Sequence, residues 1–110
     1  VVLACCEVQV AMSADGGDIP ASMEGQVAQV VENLSHALAA LSATPDNIAQ
    51  MRIYIRDLDD AAMAAAMPPL TAFLNGARPS VTGIGVAALA MPELKIEVEM
   101  VVQLPPEAGA

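Results

Sequence analysis

Ile48-Ala49-Gln50-Met51-Arg52-Ile53-Tyr54-Ile55-Arg56-Asp57-Leu58-Asp59-Asp60 is the stretch that decides how this chain folds. Met51, Ile53 and Ile55 alternate with Arg52, Tyr54 and Arg56, and a side-chain period of two belongs to a strand with one face buried and the other wet. Asp57, Asp59 and Asp60 follow at once with an N-cap and the acids that unpaired N–H groups stabilise at a helix start. A half-buried strand running straight into a helix predicts an α/β chain whose sheet is covered on one face.

On the N-terminal side, Val27, Val30, Val31, Leu34, Ala37, Leu38 and Leu41 form the apolar stripe of a helix that begins near Ser22 and ends before Thr44-Pro45-Asp46-Asn47. Val1 to Met12 is rich in β-branched and apolar residues and reads as a strand, closed by the turn residues Ser13 to Asp18. On the C-terminal side an Ala-rich helix reaches Phe73, with a kink or restart expected at Pro68-Pro69 because neither proline can donate a helical hydrogen bond. Asn75-Gly76 closes it. Val81 to Leu89 reads as a strand, Pro92-Glu93 as a turn, and Leu94 to Gln103 as a strand in which Leu94, Ile96, Val98, Met100 and Val102 share a face.

The order is strand, helix, strand, helix, strand, strand. It predicts one domain over residues 1–103, a mixed sheet with two helices on one face, and a flexible tail over 104–110. The uncovered face is where partners are expected to pack.

Composition bounds the function. Of 110 residues, 55% are hydrophobic, yet there is one Phe, one Tyr and no Trp, a surplus of small apolar side chains that predicts subunit association. No apolar run approaches the roughly 20 residues of a membrane-spanning helix, so no membrane partner is expected. Thirteen acids face only Arg52, Arg56, Arg78 and Lys95, for a net charge of −9. That leaves no basic stripe for a phosphate backbone and argues against nucleic acid. Cys5 and Cys6 are adjacent, cannot form an ordinary disulfide with each other, and fit buried thiols in a reducing cytoplasm. The single His36 stands at the edge of the helical stripe with no second histidine, so neither a metal nor a cofactor is expected. The seven methionines read as core filling before they read as a pocket lining. Arg52 and Arg56 are expected to pair with surface acids.

Four segments, in order, resemble the Rid family, the reactive-intermediate deaminases also called the YjgF or endoribonuclease L-PSP-like family. They are Gly25-Gln26-Val27-Ala28-Gln29-Val30-Val31-Glu32-Asn33-Leu34, Arg52-Ile53-Tyr54-Ile55-Arg56-Asp57-Leu58, Arg78-Pro79-Ser80-Val81-Thr82-Gly83-Ile84-Gly85-Val86-Ala87-Ala88-Leu89, and Lys95-Ile96-Glu97-Val98-Glu99. The resemblance implies a chorismate-mutase-like fold, a homotrimer, and clefts between subunits. Active members hydrolyse enamines and imines, with a glutamate placing water and an arginine holding the substrate carboxylate, roles that need a carboxylate and a bidentate cation at one small pocket.

Carried over position by position, Glu97 matches the family glutamate, whereas Val81 stands where the resemblance places the arginine. Arg78 lies three residues earlier, an odd offset that would point it to the other face of a strand. Glu7-Val8 stands in place of a Ser-Gly pair before the matching Gln9-Val10-Ala11, and Ala65 falls near a family asparagine. Glu97 and Glu99 share a strand face about 7 Å apart by strand rise. The candidate site is therefore Glu97 as the catalytic residue, with Arg78, Val81, Glu7 and Glu99 around the substrate and Arg52 of a neighbouring subunit as a second possible cation. The expected function is binding of a small metabolite in inter-subunit clefts without arginine-dependent deamination. Enamine or imine deamination is the alternative, and the endoribonuclease or translation-inhibitor role ranks last because of the charge.

Overall fold

The computed structural model describes residues 4–104, with side chains from residue 8 onward. Residues 1–3 of the expected first strand, the thiols of Cys5 and Cys6, the Glu7 side chain and the expected tail beyond residue 104 lie outside the described residues.

The elements are β1 (Ala4–Val10), α1 (Met23–Ala40), a short 3-10 turn (Pro45–Asn47), β2 (Ile48–Arg56), α2 (Asp60–Leu74), β3 (Ser80–Val86) and β4 (Ile96–Gln103). The mixed α/β fold expected from the sequence is present. Four strands form one sheet in the order β1-β4-β2-β3. β4 runs antiparallel to both neighbours, and β2 and β3, joined through α2, are parallel.

Ser22 caps α1 by accepting from the Gly25 N–H at 3.0 Å, and Asp59 caps α2 by accepting from the Ala62 N–H at 2.8 Å. Gly25 is required where it stands, because a Cβ there would lie 2.8 Å from Pro20 Cβ. The stripe of α1 delivers Val27, Val30, Leu34 and Leu38 to the core. They meet Met51, Ile53 and Ile55 of β2, Ile96, Val98, Met100 and Val102 of β4, and Ala66 and Leu70 of α2, all buried. His36, on the same helix, is exposed. The methionines divide between the two expected roles: Met51 and Met100 are fully buried, Met23, Met63 and Met67 pack against the core, and Met12 and Met91 line a depression with Asp18, Ile19 and Glu93.

Two expectations are corrected. Of the kink or restart expected at Pro68-Pro69, the restart does not occur: α2 runs as one helix through both prolines, with Ala66 and Leu70 buried around them, and ends at Asn75 in the left-handed region, φ 49°. Two helical hydrogen bonds are lost there, but burial on either side keeps the segment helical. β3 stops at Val86 and does not reach Leu89, because its partner runs out: Arg56↔Val86 is the last pair, and Asp57 turns the chain away at φ 55°. After β1, the turn is held by the Ser13 hydroxyl and Gly17 N–H, which both donate to Asp15 and keep its carboxyl below the usual carboxylate range.

Candidate functional site

The face of the sheet away from the helices carries the polar side chains, and register brings them together. One row across the sheet reads Val8, Glu99, Arg52, Thr82, and the next reads Val10, Glu97, Tyr54, Ile84. Arg52 Nη1 lies 3.6 Å from Glu99 Oε1, and the Tyr54 hydroxyl donates to the same oxygen at 3.3 Å. The Arg52 side chain is 46% exposed and that of Glu99 24%. Glu97 is half-buried, and among the described residues no cation lies within 4 Å of it. The arrangement offers a guanidinium, a phenol and two carboxylates on one shallow surface, flanked by Val8, Val10 and Ile84. Such a surface can accept and donate hydrogen bonds to a small polar ligand, and Glu97 can take a proton or orient water.

The predicted site residues divide. Glu97 and Glu99 are brought together with Arg52. Val81 is 42% exposed but pairs with Met51 and alternates with Thr82, which sets it on the opposite parity of β3. Arg78 is exposed in the segment between α2 and β3, so the strand-parity argument does not govern it, and it is not joined to the open-face row. Glu7 pairs through its backbone with Met100, and its side chain is not described. Ala65 lies on the helical side, lining a depression with Met23, Glu24, Arg56, Asp57 and Lys95. His36 lines another with Gln9, Met12 and Asn33. Neither depression is lined by Glu97. Arg56 ties down the end of β2, its Nη1 donating to the Pro92 carbonyl and its Nε 3.8 Å from Asp57. Both arginines of β2 therefore pair with acids, as expected.

Sequence reasoning missed three contributors. The Tyr54 hydroxyl orients Glu99, a pairing across 45 residues that only strand register reveals. Gln26 is fully buried; its amide donates to the carbonyls of Pro20 and Glu93 at 2.9 and 2.8 Å and accepts from the Lys95 N–H at 2.8 Å. It thereby fixes the segment that enters β4 just ahead of Glu97. Its signal was positional, since Gln26 stands four residues before Val30 on the buried stripe. Asn33 likewise donates to the carbonyls of Val10 and Met12, at 2.9 and 2.8 Å.

Among the described residues no three His, Cys, Asp or Glu side chains gather as a metal site requires, and no helix is long and apolar enough to cross a membrane.

The sequence profile of the family Endoribonuclease L-PSP matches residues 5–104. No match is found among curated proteins. Among solved structures, YyfB of the conserved Rid protein family from Yersinia pestis is 36% identical, with a TM-score of 0.84 over 92% of this chain and 78% of that one. YyfA of the same organism and family is 21% identical, with a TM-score of 0.78 over 88% and 76%. A YjgF family member from Mycobacterium tuberculosis is 19% identical, with a TM-score of 0.70 over 89% and 78%. The last two likenesses concern the fold alone. With nearly the whole chain inside the family profile and a Rid protein more than a third identical, this chain belongs to the Rid, or endoribonuclease L-PSP, family.

Proposed function

We propose that the protein is a cytoplasmic homotrimer that binds a small metabolite in clefts between subunits, without arginine-dependent deaminase chemistry. The observation that carries this reading is Val81: at the position where the family resemblance calls for the carboxylate-holding arginine, the chain has an apolar side chain, 42% exposed on an edge strand. Valine offers no donor to a carboxylate. The open sheet face, with Val8 half exposed and Ile84 beside Tyr54, supports assembly through that side, since a one-sided sheet gains by covering its apolar remainder.

Deamination of an enamine or imine remains the competing reading, favoured by one observation: Glu97 stands on the open face with Tyr54 and Arg52, where it could place water. The endoribonuclease role is disfavoured by a net charge of −9.

Ammonia release from 2-aminoacrylate, generated by a coupled serine dehydratase, separates the first two. The native protein is expected to be silent and Val81→Arg to gain activity. Release by the native protein, lost in Glu97→Gln, would instead establish the deaminase. Sedimentation of the native protein as a monomer would overturn the shared cleft.

A further inference from the structure

Helix α1 sets Asn33, His36, Ala37 and Ala40 on one face, at i, i+3, i+4 and i+7, and beside β1 that face borders a depression of about 390 Å³. None of Arg52, Tyr54, Glu97 and Glu99 lines it. Gln9 reaches it from β1; paired with the buried Val98, Gln9 stands on the helix-covered side of the sheet, away from the open face. The two amides here are in different states. Asn33 is engaged on both sides: its N–H groups go to the carbonyls of Val10 and Met12 at 2.9 and 2.8 Å, and its oxygen accepts from Gln29 at 3.0 Å. Those bonds tie the end of β1 and the segment after it to α1, so the walls are set before any ligand arrives. Gln9 is half-buried, and neither its donors nor its acceptor meets a hydrogen-bond partner among the described residues. A partly desolvated amide with both functions idle gains by receiving a ligand that uses them.

We propose that this depression, separate from the open face, binds a small neutral molecule with a cis amide edge, as a lactam ring presents. The amide of Gln9 holds its C=O and NH₂ side by side in one plane, and the edge that answers both at once is an N–H beside a C=O, the match by which glutamine reads a planar base. Open-chain secondary amides are trans and point the two groups in opposite directions, whereas a ring holds them on one side. His36, the chain's single histidine, is exposed on the helical rim and offers a further polar contact. Met12, Ala37 and Leu41 supply apolar wall for ring methylenes, and the thioether adapts to their shape. Charge selects neutrality. Among the described lining residues His36 is the one ionisable group, so a cationic ligand finds no carboxylate there and an anionic one meets a protein of net charge −9. The volume lies at the small end of the range for ligand pockets and suits a single ring.

Three probes built on one six-membered ring test this: 2-piperidone, 1-methyl-2-piperidone and cyclohexanone, titrated into the native protein and followed by NMR at the Gln9 side-chain amide, the His36 ring and the Met12 methyl. 2-Piperidone is expected to bind at least fivefold tighter than the other two, which lack the N–H. Gln9→Leu should bring 2-piperidone down to the level of cyclohexanone while cyclohexanone itself changes less than twofold, a split that a merely structural role for Gln9 would not produce. His36→Ala, on an exposed helical position, should weaken 2-piperidone several-fold. Equal binding of the three probes, no binding of any, or shifts centred on Arg52 and Tyr54 in place of Gln9 and His36 would each overturn the assignment. The selectivity of the native protein and the response of His36→Ala decide the matter even if Gln9→Leu does not fold.

Discussion

The two faces of the sheet are built from the same strands, residue by residue in alternation, and they have been put to different uses. On the covered face Met51, Ile53, Ile55, Ile96, Val98, Met100 and Val102 are buried, and their value lies in apolar area removed from water. On the open face Arg52, Tyr54, Glu97 and Glu99 keep contact with solvent, and their mutual pairing contributes little to folding because exposed ion pairs are screened. The difference teaches that burial and surface chemistry can be separated within one strand by parity alone, so substitutions one residue apart should report on different properties.

Ile53→Ala against Tyr54→Phe is the sharpest attempt to break that division. Ile53 is 1% exposed, and its truncation should lower the free energy of unfolding by about 2–5 kcal/mol in urea titrations at fixed protein concentration. Tyr54→Phe removes one hydroxyl bond and should cost about 0.5–1.5 kcal/mol. Equal costs would mean that the open face is part of the folding core. Gln26→Leu probes the polar exception on the covered side. It strands the carbonyls of Pro20 and Glu93 and the N–H of Lys95, and a loss on the order of 3 kcal/mol is expected in the same titration. A cost below that of a surface substitution would show that the approach to β4 is held by something else.

The smaller effects sharpen the comparison. Asp59→Ala, removing the cap of α2, should cost about 0.5–2 kcal/mol in thermal or chemical unfolding, with Asp59→Asn recovering most of it. A double-mutant cycle on Arg52 and Glu99 should give a coupling of about 0.2–1 kcal/mol that shrinks with added salt. A coupling several times larger would indicate that the pair is desolvated in the assembled protein.

What could be read from the sequence follows the same parity. The stripe Val27, Val30, Leu34, Leu38 and the alternations of β2 and β4 were legible because period alone reports which side faces the core. The end of β3 was not: Ala87 to Leu89 are as apolar as what precedes them, and only the departure of β2 at Asp57 stops the pairing. The continuity of α2 was hidden because proline chemistry is local while the packing of Ala66 and Leu70 is not. For the site, Glu97 and Glu99 were visible through family resemblance. Their association with Arg52 and Tyr54 was not, since it depends on an antiparallel register between strands more than 40 residues apart. Gln26 was legible only as a glutamine on an apolar stripe, with its three partners distant in sequence.

The strand order β1-β4-β2-β3 also sets a schedule. Among the described residues, β4, the last strand, lies between β1 and the rest, and β1 pairs in the sheet only with it. During synthesis β2, α2 and β3 can assemble as a parallel unit as soon as residue 86 has emerged, while β1 waits with its backbone groups unpaired in the sheet until residues 96–103 appear. Closing so long a loop makes that step slow relative to the local ones. The buried amide of Gln26 waits on the same event, because two of its partners are Glu93 and Lys95. A chain released before that strand would therefore hold a β2-α2-β3 unit with one edge of β2 unpaired and α1 resting on α2 alone, and would be far more exposed to proteases and to self-association than the modest number of missing residues suggests.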